Sequence, residues 1–295
     1  MQRTSVPEAD RIIGVRRPVL THGFVALVDY MGNDAAIVQA ARVSYGKGTK
    51  TVRDDRGLIR YLMRHRHTTP FEMVEYKFLI RLPIFVARQF IRHRMASTNE
   101  FSARYSIMSD EFEVPPPEEV RHQSTRNRQG RGEPLAADVV ERFRSDLDRV
   151  SKDAYAAYTR ALDAGVARET ARLVLPVAYY TQWYWKTNLW NLFHFLSLRL
   201  DPHAQEEIRL YAAEMAAIGR LVCPIAFEAF EEFELGAVAL GQREQRAVRA
   251  LLEGKSPDEA CASAGLPLTR EDGKPMTSGE GVEFLEKLAR MRRVE

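Results

Sequence analysis

From Met73 to Leu82 the chain alternates: Val74, Tyr76, Phe78, Ile80 and Leu82 fall on one side, with Glu75, Lys77 and Arg81 on the other. Successive side chains of an extended backbone point to opposite faces, so this pattern specifies a strand with one buried and one solvated face. Such a strand needs partner strands and an apolar layer over one side. A second strand candidate, residues 22–31 (HGFVALVDYM), ends at Gly32-Asn33 and offers one partner. Much of the remaining sequence has helical periodicity. The expected fold class is therefore α/β in the α+β sense, a mainly antiparallel sheet packed by helices. No GxGxxG follows a strand, so a Rossmann cofactor site is not indicated.

Asp34 is placed to cap a helix reaching about Val43. Asp54 or Asp55 starts another, with Leu58, Leu62 and Met63 on its apolar side, which stops before Pro70. Pro83 suits the first turn of a helix running to about Met95, with Ile84, Ala87 and Ile91 on one side and Gln89, Arg92 and His93 on another. A polar loop over 96–103 and a short strand over 104–108 follow. Pro115-Pro116-Pro117 and the QSTRNRQGRGEP tract form a long irregular excursion suited to covering a ligand. Val140, Phe143, Leu147, Val150, Ala154 and Tyr158 make the apolar stripe of a long helix, and further helices are expected over 167–174, 177–199 and 202–221.

After Phe233 the character changes. Residues 236–295 read as a helical extension to a domain over 1–235: a helix over Gln242–Leu252, a capping box at Ser256-Pro257-Asp258-Glu259, and a last helix near 279–292. The SPDEACASAGL piece has the outline of half a helix-turn-helix, but no basic recognition face follows it, and a plain helical hairpin fits better.

Composition narrows the function classes. At 45% hydrophobic and 28% charged residues the chain is too apolar for a disordered protein. No stretch approaches the roughly 20 apolar residues of a membrane helix, and MQRTSVPEADRIIG has no signal-peptide core. Cys223 and Cys261 are too few for a disulfide framework or a structural zinc site, so no metal and a cytoplasmic address are expected. Net charge is only +3, yet the cations cluster: Arg64, His65, Arg66 and His67; Arg88, Arg92, His93, Arg94 and Arg104; and Arg121, Arg126, Arg128 and Arg131. Local Arg clusters on a near-neutral chain suit an anionic small molecule. A nucleic-acid module, whose binding would fall steeply with salt, and a metal hydrolase using the seven histidines are the rivals; no HExxH supports the latter.

Residues 92–104, RHRMASTNEFSAR, concentrate the chemistry. An Arg pair flanking a His offers forked donors for phosphates or carbonyls. Glu100 can accept from ribose hydroxyls or a ring N–H. Ser102 and Arg104, two apart on an extended backbone, point to one side and could share a phosphate. Alternatively, Arg92 and Arg94 cap the C-terminus of their own helix. That alternative leaves the serine, glutamate and further arginine that follow without a reason.

Arg92-His93-Arg94, then seven residues, then Ser102, resembles the RHRx7S signature of the flavin-dependent thymidylate synthases. RHRHTTPFE at 64–72 is similar to another element of that family, as are Gln89, Asn99-Glu100, Arg104-Tyr105, the Glu169…Arg172…Pro176 stretch, and the run from Asn188 through His194, Arg199, Asp201 and His203 to Glu207. The resemblance covers residues 20–233 in order.

It implies a homotetramer with active sites between subunits, binding FAD and dUMP, with NADPH and 5,10-methylenetetrahydrofolate as co-substrates and neither nucleic acid nor membrane as partner. His67 and Thr69 fall where a neighbouring subunit touches the flavin cofactor. Arg92, His93, Arg94, Glu100, Asn188, Trp190 and His194 fall at FAD. Gln89, Arg92, Glu100, Phe101, Ser102, Ala103 and Arg104 fall at dUMP, with Arg172 and Arg199. Arg199 corresponds to the residue that favours ionisation of uracil N3, a role that suits an always-charged guanidinium. Trp190 and His194 stand where some relatives carry Arg and Asn, and Ala103 where Gly is frequent. Ser102 has no base to make it a nucleophile, and a ligand hydroxyl is the simpler role.

Overall fold

Five strands form the main sheet, in the order β1-β2-β3-β7-β4: β1 (Arg17–Val19), β2 (Gly23–Met31), β3 (Glu75–Pro83), β4 (Ser97–Glu100) and β7 (Tyr180–Asn188). Every pairing is antiparallel. β5 (Arg121–Gln123) and β6 (Arg131–Pro134) make a separate two-stranded sheet. The computed structural model describes residues 5–43, 55–124 and 130–292. Asp54 and residues 125–129, with Arg126 and Arg128, lie outside the described residues.

Two units divide the chain, residues 1–122 with 133–235 and residues 123–132 with 236–295. The helices of the first are α1 (Pro7–Asp10), α2 (Asp34–Val43), α3 (Asp55–Arg64), α4 (Thr69–Glu72), α5 (Ile84–Phe90), α6 (Ala137–Asp163), α7 (Arg168–Ala171), α8 (Leu189–Arg199), α9 (Glu206–Val222) and α10 (Pro224–Phe230). Those of the second are α11 (Gln242–Leu252), α12 (Pro257–Ala264) and α13 (Glu280–Met291).

The alternation in β3 is realised as read: Val74, Tyr76, Phe78, Ile80 and Leu82 are fully buried. β7 alternates in step beside it. Phe78 lies opposite Trp185 and Ile80 opposite Trp183, all buried. The other face is wet, with Lys186 paired to Glu75 at 2.6 Å and Lys77 over the Tyr184 ring. One face packed and one solvated is the usual economy of an antiparallel sheet.

The buried face carries α5, α8 and α9. Phe90 of α5 packs edge-on to Trp183 and Trp185, and Phe195 of α8 lies 4.8 Å from Phe90 and 5.5 Å from Trp185, centroid to centroid. From α9, the Tyr211 hydroxyl donates to the Arg81 carbonyl (2.8 Å) directly over Gly23, where no side chain would fit. α5 leaves the Pro83–Tyr180 end of the β3–β7 pair and α8 leaves the Glu75–Asn188 end. A nine-residue strand spans about 30 Å, while helices of seven and eleven residues span about 10 and 16 Å. The two helices therefore run toward each other and their C-terminal ends meet over the middle of β7.

Several expectations are corrected. Residues 177–199 are not one helix: 180–188 is a strand, with Trp183, Trp185 and Thr187 buried between outward Tyr184 and Lys186. The helix after Pro83 stops at Phe90 rather than Met95 and leaves Ile91 exposed. The expected loop at 96–103 contains edge strand β4, and the expected strand at 104–108 is a turn and irregular chain. In α6 only Val140 and Tyr158 of the stripe are buried, and Phe143 and Val150 are about half exposed. Asp34 does not cap its own helix. Asn33 Oδ1 accepts there from Ala35 N (3.0 Å), while the Asp34 carboxylate accepts from Ile225 N and Ala226 N (both 2.9 Å) and caps α10. Burial raises the Asp34 pKa, against the lowering effect of those two bonds.

The second unit has its own core of Ala247, Ala250, Ala260, Cys261, Ala264, Leu266 and Phe284. Its small side chains let α11 and α12 approach closely. The capping box forms as expected, Ser256 Oγ accepting from Glu259 N and Ser256 N donating back to Glu259. Gly265 ends α12 in the left-handed conformation (φ 72°), as a C-terminal glycine should.

Candidate active site

Where α5 and α8 converge, a cleft of about 450 Å³ opens, lined by Arg92, His93, Arg94, Met95, Ala96, Trp185, Thr187, Asn191, His194, Leu198 and Arg199. Its lining has three arginines, two histidines and no carboxylate. Two helix C-termini place partial negative charge here, which favours the cations in the absence of acids. A ligand with negative charge or carbonyl oxygens can then draw on the same donors.

Arg199, the last residue of α8, is half-buried. Its Nε donates to His93 Nε2 (2.9 Å) and its Nη2 to the Gln89 carbonyl (3.4 Å), which at the end of α5 also accepts from Arg92 N (3.3 Å). It is thus an arginine of the opposite helix that caps α5. Among the described residues the Arg92 and Arg94 side chains have no hydrogen-bond or ion-pair partner in the protein. The His93 pKa is lowered to about 4, first by burial and then by the charges of Arg199 and His194. Phe195 stands edge-on to the His93 ring at 4.8 Å and holds its plane. Burial lowers the Arg199 pKa as well, but a guanidinium stays charged.

The structure brings Arg92, His93, Arg94, His194 and Arg199 into this one cleft. The other candidates sit elsewhere. Gln89 donates through its amide to Gln205. Glu100, on edge strand β4, accepts from Thr181 Oγ1 (2.6 Å). Phe101 N donates to the Gln182 carbonyl (2.8 Å), and Ser102 Oγ accepts from Arg104 N (3.3 Å). Arg104 pairs with Glu169 (3.0 Å), Arg168 donates to the Tyr105 carbonyl (2.8 Å), and Ala103 packs with Ala171 in one small apolar cluster. These contacts seat the turn at 102–105 against the segment carrying Arg172, which is exposed. Asn188 caps α8, its Oδ1 accepting from Asn191 N (2.9 Å), and Trp190 is half-buried 6.0 Å from the Phe71 ring, outside the cleft lining. His67 and Thr69 line a different cleft, of about 930 Å³, with Tyr61, Arg66 and Met73, which shares no residue with the first. Arg66 adopts positive φ (53°) there.

Asn191, Thr187 and Trp185 were missed in the sequence. Asn191, His194 and Leu198 share one face of α8 by their spacing of three and four, and that signal was available. Thr187 and Trp185 became readable only once 180–188 was recognised as extended.

The sequence model of the family described as thymidylate synthase complementing protein matches residues 26–225. The chain is 52% identical over 257 residues to the flavin-dependent thymidylate synthase of Gluconobacter oxydans, covering 86% of this chain and 85% of that one. It is 51% identical over 276 residues to the enzyme of the same name from Wolbachia pipientis (94% and 96% covered), and 55% over 249 residues to that of Thermus thermophilus (84% and 90%). Among solved structures, a UMP/dUMP methylase from Streptomyces cacaoi bound with 5-Br dUMP superposes with a TM-score of 0.66 at 38% identity, covering 74% of this chain and 98% of that one.

Proposed function

The chain belongs to the family of flavin-dependent thymidylate synthases, and from that premise we propose that it converts dUMP to dTMP in the cleft between the ends of α5 and α8. 5,10-Methylenetetrahydrofolate is the one-carbon donor, leaving as tetrahydrofolate, and NADPH is the reductant. The observation that carries the assignment to this cleft is Arg199, a fixed guanidinium at the edge of a site with five cationic or imidazole side chains and no carboxylate.

The donor set fits FAD: Arg92, His93, Arg94 and His194 can meet its carbonyls and phosphates, and Asn191 adds an amide. The chemistry that FAD supplies when bound is acceptance of hydride from NADPH, mediation of the methylene passage to C5 of dUMP, and return of the hydride that completes the methyl group. The protein binds and orients. Arg199 stabilises negative charge as uracil N3 ionises, without a proton of its own to lose. In the between-subunit site of the proposed homotetramer, Ser102, Arg104 and Arg172, gathered outside this cleft by the Glu169 and Arg168 contacts, take the dUMP phosphate, with Phe101, Ala103 and Gln89 around the nucleotide. Glu100 accepts from the ligand or through Thr181. Asn188 and Trp190 act near the cofactor, Asn188 through its amide nitrogen because its oxygen is committed to the cap.

His67 and Thr69 line a separate cleft of the same chain, which supports a homotetramer in which a neighbouring subunit presents them to the flavin. Residues 1–235 form the catalytic domain and 236–295 an extension. No described helix is long and apolar enough to cross a membrane, and the proposed substrates support a cytoplasmic location.

The test is dTMP formation from dUMP and methylenetetrahydrofolate, with NADPH and FAD omitted in turn. Product that requires both supports the reading. A yellow protein without product refutes the substrate assignment, and a protein without flavin or product refutes the whole.

A further inference from the structure

Arg199 has five N–H groups and is free to swing at the end of its helix unless something holds it. The structure shows what does. Its Nε–H is taken by His93 Nε2 at 2.9 Å and one Nη2 hydrogen by the Gln89 carbonyl at 3.4 Å. Both contacts lie on one edge of the guanidinium plane, so the Nη1 hydrogens and the remaining Nη2 hydrogen are left for the cleft. His93 is in turn fixed by Phe195, one residue beyond His194 on the same helix.

We infer that His93 is a positioning residue for Arg199, a neutral imidazole whose Nε2 lone pair holds the guanidinium edge-on so that its free edge meets the pyrimidine. The inference rests on the thymidylate synthase reading of Arg199. It assigns His93 a task besides contact with the flavin, for which only its Nδ1–H and ring face remain.

An arginine cannot accept a hydrogen bond, so the contact exists only while His93 Nε2 carries no proton, which fixes the Nδ1–H tautomer. Arg199 and His194 on α8 both act on the ring in that direction, and Arg92 and Arg94 line the same cleft with no carboxylate among its lining residues. Burial adds to them. Protonation would set one N–H against another and release Arg199.

Two variants and one spectroscopic measurement on the flavin-loaded protein test this. His93→Ala removes the acceptor, and His93→Gln restores one through its amide oxygen. Loss of one charge-assisted hydrogen bond predicts a kcat for dTMP formation lower by on the order of tenfold in His93→Ala, with KM for dUMP within about threefold and kcat in His93→Gln at least about threefold above that of His93→Ala. In protein carrying nitrogen-15-labelled histidine, one resonance should show an unprotonated Nε2 from pH 8 down to 5. It should vanish in His93→Gln and titrate at higher pH in Arg199→Ala. Parental turnover in His93→Ala, no recovery in His93→Gln, or an Nε2-protonated resonance would overturn the inference. If the parent itself makes no dTMP, the functional reading fails instead, and the resonance still decides whether His93 holds Arg199.

Discussion

Gly23 is required by space rather than by backbone conformation. A Cβ there would overlap the Tyr211 hydroxyl outright and come within 2.5 Å of the Val19 carbonyl oxygen and 2.8 Å of that of Arg81. Gly23→Ala must therefore displace Tyr211, breaking its bond to the Arg81 carbonyl, and must also spread β1 from β2. The lost hydrogen bond costs roughly 0.5–1.5 kcal/mol and the overpacking roughly 1–3 kcal/mol, together roughly 1.5–4.5 kcal/mol. Native stabilities of about 5–15 kcal/mol make that a large fraction. Urea unfolding at fixed protein concentration measures it, provided the slope with denaturant is unchanged. Tyr211→Phe removes the overlapping oxygen, so the double variant should recover about 1 kcal/mol or more of the summed single losses, while the clash with the two carbonyls persists. A Gly23→Ala protein within about 0.5 kcal/mol of the parent, or purely additive variants, would refute the close approach of α9 to the sheet.

Arg199→Ala should lower kcat for dTMP formation by about 10²–10³, the loss seen when a donor to a developing anion is removed; a variant within threefold of the parent, with unchanged circular dichroism, would remove Arg199 from the chemistry. Asp34→Ala leaves two amides of α10 uncapped and should cost about 1–2 kcal/mol in urea unfolding, with Asp34→Asn recovering part of it; no loss would mean that water replaces the carboxylate. His93 carries a pKa lowered from 6.5 to about 4, so the unfolded chain binds the extra proton between those values, and its contribution is complete above 6.5 and declines as pH falls toward 4. Melting temperature followed over that window should fall less steeply in His93→Gln than in the parent, and equal slopes would contradict the lowered value.

Much of the molecule was legible because local patterns settle it. A period of two fixed the two faces of β3, whatever strands lay beside it. The Ser256–Glu259 box and Gly265 fixed the ends of α12 from backbone hydrogen bonding alone. The cations of Arg92-His93-Arg94 were placed together by their spacing alone, and they line one cleft. Asp34 and the 177–199 stretch were misread for one reason: an Asp before an apolar run, or a row of aromatics, is compatible with several local structures, and the choice among them is made by a distant partner. For Asp34 that partner is the start of α10, some 190 residues away. For β7 it is β3, whose buried face leaves Trp183 and Trp185 room only as strand residues.

The sequence by itself determined where forked donors and hydroxyls concentrate and which face of β3 is buried, since both follow from side-chain type and spacing. Only the tertiary structure decided that Arg199 should meet His93, 106 residues earlier. Antiparallel pairing of β3 with β7 launches α5 and α8 from opposite ends of one strand pair, and their lengths bring two helix C-termini together over Trp185, where the convergent carbonyl ends call for cations and a ligand can use them.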